Sequence, residues 1–453
     1  MDDKPLPCPR VFDLTISGAG ISGLIAGIRG QQRGLKTIVL EKQKKFVDLL
    51  RGEYLQPAGL NSLKEVGLFN EVEKKGLPIF SVDHHFWPLN PFKGTQIIDF
   101  PYSEKGDFPD HAIAIAHLEL KNILLKKYLQ SGGRILMNAT VESLENGLGN
   151  EVTIHFLNSD RRDKLVSSHL AISEGVLSTL AKKISVDWSS DPLPASFMVG
   201  GVFSNDQIPL GKFITSESRE GLICAFRLTE NRSRVYYYRD LPSRLNPFKQ
   251  KKPLDFLKQA VKTCAISSLF ENASLDERVL AAPYIPRYAR RPSRGAVTLM
   301  GDAAGASHPL GGMGMSTATA DGIRLADLIY DYKEGRLTLS ELNSKFNDQR
   351  MEKYLNNKFI SECLSYIIGG MNIQNKAIRR MALKIWSENR EARDFCGKLF
   401  GGTLPAPLDL SGLFNIWGMK KDLSFLPWGK SIAKIHYGLK EFSPTAVFSD
   451  MIK

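Results

Sequence analysis

Apolar and polar positions change period repeatedly along this chain. Val11–Ser17 ("VFDLTIS") is a short strand-forming run, and the glycine-rich "GAGISG" follows at once. "LIAGIRGQQRG" then carries apolar residues at helical spacing and stops at Gly34. Lys36–Lys42 ("KTIVLEK") is a second strand-like run that ends in an acid. Strand, helix and strand within about thirty residues predict a βαβ unit. A turn at Pro57 leads into a helix around Ala58–Val66 and another short one. Residues 78–110 are rich in Pro, Phe and Asp and read as an excursion. Ala116–Gly133 has helical spacing and a glycine stop. Strands are expected in "RILMNATVESLE", "EVTIHFL" and "SHLAISEG". From about residue 195 to 285, strands such as "RVYYYRD" mix with a helix near "LDFLKQAVKTCAISSLF". "AVTLM" returns to the buried-strand pattern, and "STATADGIRLADLIYDYKEG" is a strong helix. The remainder is mainly helical until "GGTLPAPLDLSG" breaks it, and no internal repeat is present.

Composition narrows the class. The chain has 453 residues, 43% hydrophobic and 24% charged, enough for a large core and two or three domains. No two of the five cysteines share CxxC spacing, so neither a zinc site nor a disulfide framework is indicated, and a reducing, cytoplasmic setting is the simplest reading. "MDDKPLPCPR" mixes acids and prolines without an apolar core, unlike a secretory signal. No run of about 18 apolar residues predicts a spanning helix. Net charge is +12, yet no basic helix, zinc pattern or aromatic RNA-binding signature accompanies it, so nucleic acid is not an expected partner. Half of that charge lies in residues 371–453, together with Trp386, Trp417 and Trp428. The combination fits peripheral contact with an anionic membrane and fits equally a helical tail packed on the body.

Gly18-Ala19-Gly20-Ile21-Ser22-Gly23 matches GxGxxG, a weak signal alone. Here a strand precedes it, a helix follows, and Glu41 ends the next strand 23 positions after Gly18. Gly18 permits the tight turn, Gly20 lets a pyrophosphate approach the backbone, and Gly23 allows close helix–strand packing. The positive end of the helix then faces the phosphates, and Glu41 can accept hydrogen bonds from an adenosine ribose. The pattern does not separate NAD from FAD.

Three separated motifs do. "GAGISGLIAGI…VLEK", "LAISEGVLSTLAKK" (Leu170–Lys183) and "GDAAGASHPLGGMGMSTATADG" (Gly301–Gly322) occur in that order. Together the chain resembles the FAD-dependent aromatic hydroxylase and squalene epoxidase class of flavoprotein monooxygenases. Arg51–Leu68, with its "GEYLQP", is similar to the squalene epoxidases within that class. The resemblance implies an α/β fold: a discontinuous Rossmann-type FAD-binding domain (8–80, 111–185 and 286–345), an interleaved β-sheet substrate domain (81–110 and 186–285) and a helical C-terminal region (346–453).

The cofactor residues it implies are Gly18, Ala19, Gly20, Gly23 and Glu41 at the first turn, joined by Lys42, Arg51 and Gln56. His117 stands where the family has Arg or Gln against the flavin chain. Gly301 and Asp302 would meet the ribityl group, and Pro309, Gly311, Gly312, Met313, Gly314 and Met315 would pass the isoalloxazine edge. A loop so bare suits a flat ring lying against it, and the N-terminus of the next helix can stabilise negative charge on reduced flavin. The middle motif departs from the family: Glu174-Gly175 replaces Asp-Gly, and Lys182 or Lys183 replaces Arg, which puts NAD(P)H handling in question.

The implied reaction is reduction of FAD by NAD(P)H and transfer of one oxygen atom from O2 to an apolar or aromatic small molecule, by hydroxylation or epoxidation. No triad or metal site is expected. His308 is either a proton relay near the ring or a turn residue, the latter favoured. Phe86, Trp87, Phe213, Phe226, Tyr236 and Tyr238 suit an apolar substrate and suit a sheet core as well. "GDAAG" is also similar to geranylgeranyl reductases, and a non-catalytic flavin-binding protein is the third reading. A halogenase is disfavoured because no WxWxIP-like segment occurs.

Overall fold

The computed structural model describes residues 11–48, 53–87, 95–102, 108–184, 186–189, 196–219, 221–240, 252–276, 278–284, 287–364, 383–384 and 386–403. The architecture is the expected α/β one, with a helical C-terminal region. A six-stranded sheet runs Ser293–Arg294, Val297–Leu299, Leu170–Ile172, Leu14–Ser17, Thr37–Glu41, Arg134–Met137, parallel except at its first pair. Leu14–Ser17 and Thr37–Glu41 are buried throughout, which is why they read as unbroken runs and not as alternating ones. Helices Ile21–Gln32, His117–Gln130 and Gly314–Lys333 contribute to the core on one face of this sheet. The first and last of these meet at Gly322, where a Cβ would come within 2.5 Å of the Ser22 carbonyl oxygen.

A four-stranded sheet covers the other face through Val141, Ile154, Phe156 and Leu165. The Val11–Ser17 run is split between the two sheets. Val11–Phe12 pairs with Val166–Ser167 in the smaller sheet, and Leu14–Ser17 enters the centre of the larger one. Strand Arg161–Ser167 went unexpected because its first half, "RRDK", has no apolar position.

The third sheet has ten strands, antiparallel across Ser196–Ser204, Arg232–Asp240, Leu222–Thr229 and Gly211–Glu217. Residues 78–110 are not an excursion. They supply strand Gln96–Pro101 and most of strand Leu77–Phe86, paired antiparallel with Asp83 opposite Asp99. The pattern hid them because Ser81, Asp83, His84 and His85 interrupt any period of two. Tyr54–Leu55 and Ala112–Ala114 also join this sheet, although the sequence groups them with the cofactor domain. One face packs Val199, Ile223, Val235 and Tyr237 with helix Pro253–Lys262. The opposite face carries Phe213, Phe226, Tyr236 and Tyr238.

The C-terminal region contains helices Leu339–Leu364 and Arg390–Gly401. Trp386 is not an interfacial residue: it is buried edge-on to Phe100, with ring centroids 5.2 Å apart. Trp417 and Trp428 lie outside the described residues. Among the described residues no helix is long and apolar enough to cross a membrane.

Candidate functional site

The first glycine turn closes on itself around Ser173. A Cβ at Gly18 would lie 2.7 Å from the Ser173 carbonyl oxygen, and one at Gly20 2.9 Å from the same atom. Gly23 has no room beside the Gly18 carbonyl, 2.4 Å from a built Cβ. The Ser173 hydroxyl pairs with the Ser22 hydroxyl at 2.7 Å and accepts from the Gly23 N–H at 3.0 Å. The glycines are therefore required by the protein's own packing, and Ser173, inside the middle motif, meets the first turn in a way that its place in the sequence does not reveal. Gly18 also has φ +96, a left-handed conformation that favours glycine.

Glu41 ends its strand buried beside this turn. Its carboxylate accepts from the Ala19 N–H at 2.7 Å and the Gln43 N–H at 2.9 Å. Two backbone donors fix its direction next to the turn that leads into Ile21–Gln32. That helix carries no side-chain cap and no acid in its first turn. An anion therefore meets an uncapped positive helix end there. Lys42 is exposed immediately after Glu41, and Arg51 lies outside the described residues.

Glu174 is held inside the fold. Its carboxylate accepts from the Ser17 hydroxyl at 2.5 Å and the Ser178 hydroxyl at 2.7 Å. It links the end of the first strand to the turn through Gly175, whose φ is +78. Lys183 donates from Nζ to the Glu142 carbonyl at 2.8 Å. His117 is the first residue of helix His117–Gln130, half-buried.

The second glycine-rich stretch meets the first. A Cβ at Gly301 would lie 2.8 Å from Ser22 Oγ, so the Gly301–Asp302 turn sits on the start of the first helix. Asp302 follows within the short turn Gly301–Ala303, exposed. Further on, Pro309–Gly311 forms another turn, capped by His308, whose Nδ1 accepts from the Leu310 N–H at 3.3 Å. With Nδ1 accepting, the neutral ring carries its proton on Nε2, which donates to Tyr238 Oη at 3.0 Å. Burial pushes the His308 imidazole down to about 3, so the ring is neutral at ordinary pH. Gln56 Nε2 donates to the Gly311 carbonyl at 2.7 Å. Gly312 takes the left-handed conformation, φ +62. The Met313 and Met315 side chains are buried, Met313 beside Gly402.

Gly314 differs from the other site glycines. Its φ is not left-handed, and a Cβ there would meet no atom of the described residues within 4 Å. Nothing among the described residues requires it to be bare. It also starts helix Gly314–Lys333, which has no side-chain cap and no acid in its first turn. An open, uncapped helix start suits a flat, electron-rich ring, so the residues present fit FAD.

The aromatic face of the ten-stranded sheet lies against this loop. Tyr238 reaches His308, and the Tyr284 ring packs on it at 4.6 Å. Leu310 packs into the same cluster as Phe226 and Tyr238. Tyr54, Phe213 and Phe226 stack beside them, Phe213 on Phe226 at 5.3 Å. Trp87 is exposed and stands apart. Behind these rings a Glu53–Arg234 ion pair is fully buried, and Tyr236 Oη donates to Glu53 at 3.2 Å. Burial is the largest influence on Arg234 and works against its charge, but the Glu53 hydrogen bond and the nearby Tyr236, Glu53 and Asp48 groups together outweigh it and hold the guanidinium above its usual value. This pair was not legible in the sequence, because the two residues are 181 positions apart. Among the described residues no cluster of His, Cys, Asp and Glu could hold a metal ion.

The family model of the FAD binding domain matches residues 12–344. Squalene epoxidase of Saccharomyces cerevisiae is 22% identical over 450 residues, covering 89% of this chain and 87% of the relative. Squalene epoxidase of Schizosaccharomyces pombe is 24% identical over 422 residues, covering 89% and 88%. Among solved structures, p-nitrophenol 4-monooxygenase from Pseudomonas putida superposes with a TM-score of 0.69 at 16% identity, covering 90% of this chain and 97% of that one. A triple mutant of a flavin-dependent brominase gives a TM-score of 0.74 at 14% identity, covering 94% and 100%. At such identities the structures speak for the fold. The family match runs from the first strand through the helix that follows the flavin loop, and the chain belongs to the FAD binding domain family, as an FAD-dependent oxidoreductase of the flavoprotein monooxygenase class.

Proposed function

We propose that the protein inserts one oxygen atom from O2 into an apolar or aromatic small molecule, using NAD(P)H, at the face of Pro309–Met315. One observation carries the reading: the bare loop ending at Gly314 is docked by Gln56 and His308 beside a face of Tyr54, Phe213, Phe226, Tyr236 and Tyr238. Bound FAD supplies the redox chemistry, taking two electrons from NAD(P)H and activating O2. The balance is substrate, O2, NAD(P)H and one proton giving oxygenated substrate, NAD(P)+ and water.

The chain's own residues bind, orient and exclude water. Glu41 and the uncapped start of Ile21–Gln32 hold the adenosine diphosphate end. Asp302 would bind the ribityl chain, and Lys42, Arg51, Gln56 and His117 would complete the cofactor set. The uncapped start of Gly314–Lys333 stabilises negative charge at the ring. His308, neutral and hydrogen-bonded on both nitrogens, shapes the turn and carries no proton in the reaction. Glu174 and Gly175 act on NAD(P)H only indirectly, since the Glu174 carboxylate is engaged by Ser17 and Ser178.

The similarity to two squalene epoxidases supports an apolar polyene as one substrate class. Peripheral membrane contact through the basic C-terminal region, whose charge lies in residues 371–453, belongs to the same proposal, since such a substrate partitions into lipid. A purified, yellow protein should consume NAD(P)H and O2 in equal amounts when an apolar polyene or aromatic compound is supplied. Consumption of NAD(P)H without O2 uptake contradicts the reading and favours a reductase. Equal pelleting with anionic liposomes of the full chain and a chain ending at Thr403 removes the membrane part.

A further inference from the structure

We infer that Arg350 and Asp321 are positioning residues for FAD, so that a residue beyond the end of the family match completes the cofactor site. The inference rests on the FAD reading above. Asp321 lies on helix Gly314–Lys333 and Arg350 on helix Leu339–Leu364, and both are about 95% buried, at 4% exposure each. Asp321 Oδ2 accepts from the Gly301 N–H at 2.8 Å and from Arg350 Nε at 2.9 Å. Arg350 Nη2 donates to the Gly301 carbonyl at 2.8 Å. One ion pair thus engages both polar backbone groups of a single residue.

That residue is the one that needs it. Gly301 has φ +55, and a Cβ on it would strike Ser22 of the first glycine turn. The peptide leaving Gly301 sets the direction of Asp302. Glycine alone leaves that peptide free to rotate, because it has many accessible conformations. The Arg350–Asp321 pair, together with the Ala304 N–H that bonds the Gly301 carbonyl at 3.1 Å, restricts that freedom and holds Asp302 relative to the first helix. Asn357 Nδ2 adds a second tie, donating to Thr317 Oγ1 at 3.0 Å one turn earlier on the same helix as Asp321. The family match ends at residue 344, before Arg350 and Asn357. The start of the C-terminal region is therefore part of the flavin site and not only a cover for it.

The test uses the full chain, stripped of flavin and titrated with FAD, following flavin fluorescence and the visible spectrum, with thermal unfolding measured in parallel. Arg350→Lys keeps the charge and loses the fork, and should weaken FAD binding by about tenfold, because Lys cannot bond Asp321 and Gly301 together. Arg350→Met with Asp321→Leu removes both charges of the pair together and should keep the apoprotein folded. It should still bind FAD about tenfold or more weakly than the parent and shift the flavin spectrum, since Gly301 is released. A folded double variant that binds FAD within about twofold of the parent, with an unchanged spectrum, overturns the inference and leaves the pair a structural brace. A parent chain that binds no FAD overturns the cofactor reading itself, and this inference with it.

Discussion

The Gln56 side-chain amide donates to the Gly311 carbonyl at 2.7 Å, joining segments 255 residues apart. It pins the bare loop from the side of the ten-stranded sheet. Gln56→Met keeps the length and removes the donor. A neutral hydrogen bond of this kind contributes about 0.5–1.5 kcal/mol, so FAD affinity should fall about two- to tenfold. Fluorescence titration with FAD measures it, and an unchanged constant removes Gln56 from the cofactor set.

Gly314 and Gly20 should fail differently. Gly314→Val places its side chain in space that no atom of the described residues fills. The apoprotein should unfold at the parent temperature and yet be isolated without yellow colour. Gly20→Val meets the Ser173 carbonyl first, so it should lower the unfolding temperature as well as the flavin content. A yellow, FAD-replete Gly314→Val protein would show that the ring does not lie there.

Much of this site was readable from local pattern. The first turn and the loop after "AVTLM" each sit at a strand–turn–helix junction, where glycine spacing and period change together within a few residues, and Glu41 ends the strand that follows the first helix. What escaped is non-local. Ser173, the Glu53–Arg234 pair and the Arg350–Asp321 pair owe their roles to partners 29 to 181 positions away, and serine, glutamate or arginine at such positions reads as surface. The strands within residues 78–110 escaped for another reason. Polar residues such as Asp83 and His84 find partners inside the sheet, Asp83 in Lys212 and His84 in Thr215, so the strand does not alternate.

The Glu53–Arg234 pair should show the asymmetry of a buried ion pair. Arg234→Met leaves Glu53 charged and buried and should cost about 3–5 kcal/mol of folding stability. Adding Glu53→Leu should recover most of that loss. Urea unfolding of the two variants decides the matter, and a double variant no more stable than the single one contradicts it.

Acid should destabilise the fold through two buried imidazoles. Burial holds both His169 and His308 down to about 3, against 6.5 when unfolded. Between these values the unfolded chain binds more protons than the folded one, so stability rises with pH. Their stabilising effect is complete above about pH 6.5 and is lost progressively toward pH 3, at about 2 kcal/mol for each ring by pH 5. Thermal unfolding from pH 7 to 5 should fall less steeply in a His169→Gln, His308→Gln double variant. Parallel curves for parent and variant would count against it.

Oxygen transfer is the central claim, and the source of the product's oxygen tests it most directly. The yellow protein is turned over with NADPH or NADH under isotopically labelled dioxygen, using an extract of apolar polyenes and aromatic compounds as substrate. One labelled oxygen atom per product molecule, with the other leaving as labelled water, is the expected result. A product that has lost a double bond and carries no label, while NAD(P)H is consumed, would contradict the account and assign the protein as a reductase.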